Sequence, residues 1–218
     1  AIGYDALGGT NTGGEFNVAI GNYTLDAALG GGDDEGDHNV AVGDNALSAN
    51  TTGSYNTATG SWALNANTTG SSNTAIGDEA LQKNTIGKDN TAIGVQALEA
   101  NESGDWNTAV GVWALYKNVE GDGNTAFGEQ ALENNRASWN TAIGSWALQA
   151  NTLGSRNAAL GEEAGNDVTE GLDNVFLGYR AGDKVTTGDD NIIIGSDAAA
   201  SAVGGTNQIV IGKGATGT

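Results

Sequence analysis

Apolar residues recur along the chain in short phrases that each end in glycine. The phrase Asn-Thr-Ala-Ile-Gly at residues 140–144 is followed by Ala-Leu and then by an Asn-Thr-x-Gly turn. Five residues between glycine-rich turns are too few for a helix, so the phrase predicts a short strand. Asn and Gly tolerate left-handed backbone conformations, and the Asn-x-x-Gly segment therefore predicts a tight corner.

The glycine that closes each phrase, here called the anchor glycine, defines a repeat that runs through the whole chain. The anchors are Gly3, Gly21, Gly43, Gly60, Gly77, Gly94, Gly111, Gly128, Gly144, Gly161, Gly178, Gly195 and Gly212. Nine of the twelve spacings between them are 17 residues, and the others are 16, 18 and 22. This period predicts one all-β domain over residues 1–218, a parallel β-solenoid of thirteen coils stacked about 4.8 Å apart. Because the chain opens in mid-phrase, we interpret it as a segment of a longer fibrous protein.

The strands carry too much apolar surface for one chain to bury. Alternation places Thr and Ile of each phrase on one face and Ala on the other. In the last three coils all three positions are large and apolar, at residues 175–177, 192–194 and 209–211. A strand that is apolar on both faces is buried on both faces, and the sequence offers no spare helix or sheet as a cover. Since a coil of this size also has a thin core, copies of the same chain are the simplest cover.

Two positions vary together, and they point to a trimer. We call the position five residues before the anchor the leading column and the position two residues after it the trailing column. Four coils pair aromatic residues in these columns, namely Phe16 with Tyr23, Tyr55 with Trp62, Trp106 with Trp113, and Trp139 with Trp146. Two others pair opposite charges, Arg156 with Glu163 and Asp173 with Arg180.

The members of each pair are seven residues apart. Seven extended residues span roughly 23 Å, so we expect the pairs to meet between neighbouring chains, arranged head to tail in a ring. The smallest such ring is a side-by-side homotrimer. A sharp fold at the anchor glycine, which would bring the two positions together within one chain, is the alternative.

Asparagine forms two further columns, one at the start of each strand and one at the turn. The strand column includes Asn56, Asn73 and Asn90, and the turn column includes Asn67 and Asn84. Identical amides one coil apart can form hydrogen bonds along the stack, so we predict a structural role for both columns.

The composition and net charge exclude some classes of binding partner. The chain has 36 Gly, no Pro, Cys or Met, and 8 Lys plus Arg against 27 Asp plus Glu, which gives a net charge of −19. Without cysteine there is no disulfide framework. A strongly acidic surface repels nucleic acid and anionic lipid, and no apolar run reaches the length of a membrane span.

The phrases Asn-Thr-Ala-Ile-Gly, Asn-Thr-Ala-Val-Gly and Asn-Ile-Ile-Ile-Gly resemble the head repeat of YadA-like trimeric autotransporter adhesins. The 17-residue unit with Ala-Leu and Asn-Thr-Thr-Gly is also similar to repeats in phage tail-fibre-like proteins. The resemblance covers all thirteen coils, although the adhesin-head repeat is shorter. It implies a left-handed β-roll built from three chains, an extracellular, cell-surface or virion-surface location, and attachment as the function. It implies no catalytic residue.

Candidates for chemistry are few. The single histidine, His38, has neither a nucleophile nor metal-ligand spacing around it and is interpreted as a solvated loop residue. The insertion beside it could hold a hard cation through Asp33, Asp34, Glu35 and Asp37, but it lacks any recognised calcium-binding pattern, and a flexible acidic loop is favoured. We predict no cofactor, no metal and no catalytic site.

Three classes of function remain. The favoured one is a structural and adhesive fibre that attaches to a cell-surface glycan, a protein or another surface, with Tyr4, Tyr116 and Tyr179 as candidates for outward contacts. An ice-binding solenoid is the alternative, suggested by the Thr column that includes Thr57, Thr74 and Thr91. Against it, this column aligns with Val and Ile in other coils, so we expect it to face inward. A polysaccharide-acting β-helix would need clustered acid and base groups that the sequence does not show.

Overall fold

The computed structural model describes residues 1–9, 14–27 and 36–217. In these residues the chain forms twelve strands of three residues each, joined by turns and bends, with no helix. Each strand pairs in parallel with strands of neighbouring repeats, so the prediction of an all-β parallel solenoid is confirmed. The chain divides into two compact units, Ala1–Asn107 and Thr108–Thr218.

The first unit contains five strands in chain order. They are β1 (Val18–Ile20), β2 (Val40–Val42), β3 (Thr57–Thr59), β4 (Thr74–Ile76) and β5 (Thr91–Ile93). Equivalent positions stand directly opposite each other, as in the central residues Ala58 and Ala75. An isolated parallel bridge between Ile2 and Ile20 adds the first phrase to β1.

The second unit contains seven strands with the same register. They are β6 (Thr108–Val110), β7 (Thr125–Phe127), β8 (Thr141–Ile143), β9 (Ala158–Leu160), β10 (Val175–Leu177), β11 (Ile192–Ile194) and β12 (Ile209–Ile211). Coils of 16 and 17 residues keep the same pairing, since Ala126 lies opposite Ala142 and Ala142 opposite Ala159. A change of coil length is therefore absorbed outside the strands.

The interior of each coil is narrow and holds small side chains. The central strand residue is buried in every strand, and the Ala and Leu that follow the anchor are also buried in most coils, as Ala63 and Leu64 show. Because leucine already fills the interior, the strand contributes only alanine there in most coils. The first and third strand residues point outward, so our expectation that the Thr column faces inward is wrong.

Both asparagine columns are buried and form the predicted ladders. In the turn column, Nδ2 of Asn84 donates to Oδ1 of Asn67 at 2.9 Å and to the carbonyl of Gly87 at 3.0 Å. In the strand column, the backbone N–H of Asn73 donates to Oδ1 of Asn56 at 3.0 Å. The amides therefore pair the polar groups of successive corners, which confirms their structural role.

Left-handed backbone recurs at fixed positions in the coil. Residues in the leading column, the trailing column and the buried Leu column have φ values of about +50 to +65°, including Tyr55, Trp62 and Leu64. Most of these residues are not glycine, so each costs conformational energy that the stacked coils must offset. The anchor position must be glycine for steric reasons as well. A Cβ at Gly60 would collide with the carbonyl oxygen of Gly77 in the next coil.

Candidate functional surface

The outward residues of the strands form an exposed apolar surface, here called the strand face. In the first unit it comprises Val18, Ile20, Val40, Ile76 and Ile93, together with the Thr residues of β3, β4 and β5. Side chains such as Ile76 keep 40% of their surface exposed. Ordinary solvated sheets place polar side chains on their outer face, so this face has the composition of a buried surface.

In the second unit the strand face becomes more apolar toward the C-terminus. The outward residues of β8 are one Thr and one Ile, whereas β10, β11 and β12 present only Val, Leu and Ile outward. Phe127 is 56% exposed, and Leu160 and Leu177 line a shallow, largely apolar depression with Ile143 and Val175. The sequence prediction that one strand face lacks a cover within the chain therefore holds for the described residues.

The leading column borders the strand face, because it lies two residues before each strand. Its aromatic members Phe16, Tyr55, Trp106 and Trp139 are all more than half exposed. In the first unit Phe16, His38 and Tyr55 stack in succession, with ring centroids 4.9 and 5.0 Å apart. In the second unit the ring of Trp139 lies over Gly123, where a Cβ would collide with it.

The trailing column borders the strand face on its other side. Tyr23, Trp62 and Trp113 are exposed, and Trp146 is half-buried. The indole N–H of Trp146 donates to Oε1 of Gln130, which holds the same position one coil earlier. Contacts in this column therefore run between successive coils, as they do in the leading column.

The four charged residues also pair along their own columns. Arg156 makes a bidentate ion pair with Asp173, with Nε–Oδ1 at 2.6 Å and Nη2–Oδ2 at 2.7 Å. Arg180 pairs with Glu163 at 3.2 Å and with Asp183 at 3.0 Å. These partners were not predicted from the sequence, although the period of 17 residues separates both Arg156 from Asp173 and Glu163 from Arg180.

The Arg156–Asp173 pair shifts the ionisation of both groups. The hydrogen bond from Arg156 lowers the pKa of the Asp173 carboxyl, and the same bond raises the pKa of the Arg156 guanidinium. For Arg180, Asp183 and then Glu163 raise the pKa of the guanidinium. The side chains of Arg156, Asp173 and Arg180 are exposed, so the Arg156–Asp173 and Arg180–Glu163 pairs align neighbouring coils more than they stabilise the fold.

Some of the predicted same-coil pairs have both residues in one compact unit. In these pairs the two side chains do not meet within the chain. No ring contact joins Tyr55 to Trp62 or Trp139 to Trp146 among the described residues, and Arg156 makes no ion pair with Glu163. A sharp fold at the anchor glycine therefore does not bring these pairs together. Their meeting between chains stays a prediction.

The acidic insertion is described only in part. Asp33, Asp34 and Glu35 lie outside the described residues, whereas Asp37 is buried and its Oδ1 accepts a hydrogen bond from the backbone N–H of Glu15. Its own N–H donates to Oγ of Ser54 at 3.1 Å. Asp37 therefore forms hydrogen bonds that join neighbouring parts of the chain. The described residues contain no group of three or more His, Cys, Asp or Glu placed to hold a metal ion.

The three tyrosines proposed for outward contacts differ in their surroundings. Tyr4 packs edge-on against Tyr23 at 5.4 Å between ring centroids, and the guanidinium of Arg180 lies 6.0 Å from the ring of Tyr179. Tyr116 is half-buried. Tyr4 and Tyr179 thus remain exposed, but each also has a neighbour in its own chain.

Within the described residues, no helix has the length and apolarity needed to cross a membrane. Comparisons with known protein families, with curated proteins and with solved structures found no match to this chain.

Proposed function

We propose that this chain is a segment of a trimeric β-solenoid fibre on the surface of a cell or virion, and that the fibre attaches its bearer to another surface. Thirteen left-handed coils per chain and three chains side by side make up the segment. The exposed apolar strand face carries the proposal, because an apolar surface of this extent marks an interface in a soluble protein. The proposal includes no catalytic step and no cofactor.

The borders of the strand face favour a ring of chains. The leading column and the trailing column differ in sequence and lie on opposite sides of the strand, so contact between them is heterologous. Heterologous contacts close into rings, and three is the smallest ring. In such a trimer the three strand faces cover one another, and the leading aromatics of one chain meet the trailing aromatics of the next.

Light scattering at micromolar concentration tests this arrangement. We expect a mass three times the chain mass of 21.8 kDa. Replacing Leu160 and Leu177 on the strand face with Asn should dissociate the trimer without loss of β-structure by circular dichroism. Leu153→Asn is the matched control, since Leu153 is 62% exposed but lies in a turn. A wild-type protein that remains a folded monomer would contradict the proposal.

The outward Thr column gives the ice-binding alternative a specific observation in its favour. Thr74 and Thr91 stand opposite each other on the outer face of β4 and β5. The neighbouring outward position holds Ile in both strands, and Ala158 and Val175 replace Thr in β9 and β10. A measurement of thermal hysteresis separates the two functions, because a fibre whose strand faces are buried in a trimer should show none.

A further inference from the structure

The turn between β7 and β8 is one residue shorter than the other turns that the structure describes in the second unit. The anchors Gly128 and Gly144 are 16 residues apart, and the usual Asn-Thr-x-Gly is replaced by Asn135-Arg136-Ala137. Nδ2 of Asn135 donates to the carbonyl of Ala137 at 2.7 Å, two residues on. Regular turns close to a glycine three residues on, as Asn118 does with Gly121 at 2.8 Å. The one residue by which this coil is shorter than the others is therefore absent from the turn.

A row of threonine hydrogen bonds is also interrupted at this turn and at the turn before it. In regular coils the first turn Thr donates through Oγ1 to the next coil, as Thr152 does to the carbonyl of Thr169 at 3.0 Å. Val119 and Arg136 occupy this position in the two preceding coils of the second unit and lack the hydroxyl. A shallow depression lies on each side of Arg136.

We call the larger depression the Arg136 notch. It is open to solvent and offers about 460 Å³, a volume within the range of small-molecule sites. Its lining residues are Lys117, Asn134, Arg136, Ala150, Thr152 and Leu153. None of them belongs to the strand face, the leading column or the trailing column, so the trimer contacts proposed above do not use the notch.

The charge of the notch is opposite to that of the protein. Two of the eight Lys and Arg residues, Lys117 and Arg136, line it, and no carboxylate does. Among the described residues no Asp or Glu forms an ion pair with Arg136, in contrast to Arg156 and Arg180. Glu120 lies in the depression on the other side of Arg136 and repels anions from that side. Of the two depressions beside Arg136, the notch is therefore the one whose lining favours an anionic group.

Lys117 is held in place before any ligand arrives. Its Nζ donates to Oδ1 of Asn134 at 2.7 Å, and Nδ2 of Asn134 donates to the backbone carbonyl of Gln149 at 2.8 Å. The ammonium group keeps further N–H donors that can face the notch. The exposed guanidinium of Arg136 adds the planar fork that matches a carboxylate.

We propose that the Arg136 notch binds the carboxylate of an acidic sugar. Thr152 distinguishes a sugar acid from a simple anion, because its hydroxyl already donates to Thr169 and so offers an acceptor to a ligand hydroxyl. Fully ionised sulfate has no hydrogen to donate there. The exposed side chain of Leu153 gives an apolar surface for the C–H face of the sugar ring. This site would make acidic sugars the ligand class of the proposed attachment function. Its role in attachment rests on that proposed function.

Titration of the whole chain with methyl glucuronide, followed by NMR, tests the site. Methyl glucoside is the neutral match, and inorganic phosphate and sulfate are the simple anions. We expect saturable binding of the glucuronide that is at least about tenfold tighter than that of the glucoside or of either anion. Arg136→Ala should weaken glucuronide binding at least about tenfold, and Arg136→Lys should restore part of it.

Lys184→Ala provides the matched control, because it removes the same charge outside the notch. Affinity for the glucuronide should be unchanged in this variant. Equal losses in Arg136→Ala and Lys184→Ala, equal binding of phosphate and glucuronide, or no binding at all would each overturn the site. Light scattering on the same samples reports the trimer separately, since a trimer that fails to bind refutes the notch alone and a monomer that binds refutes the trimer alone.

Discussion

The ring of Phe176 lies against the Cα of Gly182, in the space that a leucine side chain occupies in most other coils. A Cβ at Gly182 would collide with this ring, and a Cβ at Gly165 in the preceding coil would lie 2.6 Å from Cδ2 of Phe176. Phe176 is 1% exposed and replaces the usual central Ala of the strand. Phe176 thus occupies space that the leucine column fills in most other coils.

This compensation predicts a rescue. Phe176→Ala should lower the free energy of unfolding by about 3–5 kcal/mol, because it opens a cavity where both neighbouring coils lack leucine. Adding Gly165→Leu and Gly182→Leu should recover a large part of the loss. Gly182→Leu alone is the control and should destabilise the protein through collision with the ring. Chemical denaturation measures all of these variants, and equal stability of the single and triple variants would contradict the compensation.

The turn asparagines should contribute strongly because their amides are buried and linked. Asn84→Ala removes the hydrogen bonds to Asn67 and Gly87 and leaves the buried Oδ1 of Asn67 without this donor, whereas the Gly87 carbonyl keeps its bond from Asn73. We expect a loss of about 1–3 kcal/mol for each buried group left without a partner. Asn65→Ala is the matched control, because Asn65 is only half-buried. Thermal unfolding should place the Asn84 variant well below the Asn65 variant, and equal values would rule out the ladder as a major source of stability.

Left-handed positions occupied by ordinary residues should be improved by glycine. Ser72 has a φ of +60° and is exposed, so Ser72→Gly should stabilise the protein by up to about 1–2 kcal/mol. Ser72→Ala separates loss of the hydroxyl from relief of the backbone and should give no gain. Gly123 holds the same position with a φ of +63°, and Gly123→Ala should destabilise because its Cβ would meet Trp139. The melting temperatures of the three variants decide this prediction.

Acid should remove the contribution of the Arg156–Asp173 pair. Because the folded state lowers the pKa of Asp173, the stabilisation is present above the unfolded pKa of an aspartate, at about 3.9. It is lost as the pH falls through the lowered pKa in the folded protein. Asp173→Asn should therefore reduce the melting temperature slightly at pH 7 and not at pH 2. A difference that persists at pH 2 would show that the carboxylate charge is not its cause.

Aromatic residues at the two borders of the strand face should be coupled through the neighbouring chain. Trp139→Ala and Trp146→Ala should each weaken the trimer, with about 0.5–1.5 kcal/mol per pair beyond the buried area. If the two rings meet between chains, the double variant should lose little more than either single variant. Trimer dissociation followed by light scattering measures the cycle. Fully additive losses would mean that Trp139 and Trp146 make separate contacts.

Local sequence determined the repeat, the strands and the corners. Each phrase predicts its own strand, and each Asn-x-x-Gly predicts its own turn. Every coil therefore forms the same local structure, and the stacked coils repeat it. The asparagine ladders followed from the same period, because identical residues one coil apart must face each other. The single 16-residue spacing was also visible, although it could not show that the shortened turn would place Arg136 beside Lys117.

Tertiary structure decided which face of the strand points inward. A period of two separates Thr and Ile from Ala but does not say which set is buried, and hydrophobicity alone favours the larger residues. The leucine of most coils already fills the narrow interior, so Ala enters it there and the larger side chains remain outside. The partners of Arg156 and Arg180 were decided in the same way, because a residue in the next coil lies closer than one across the strand.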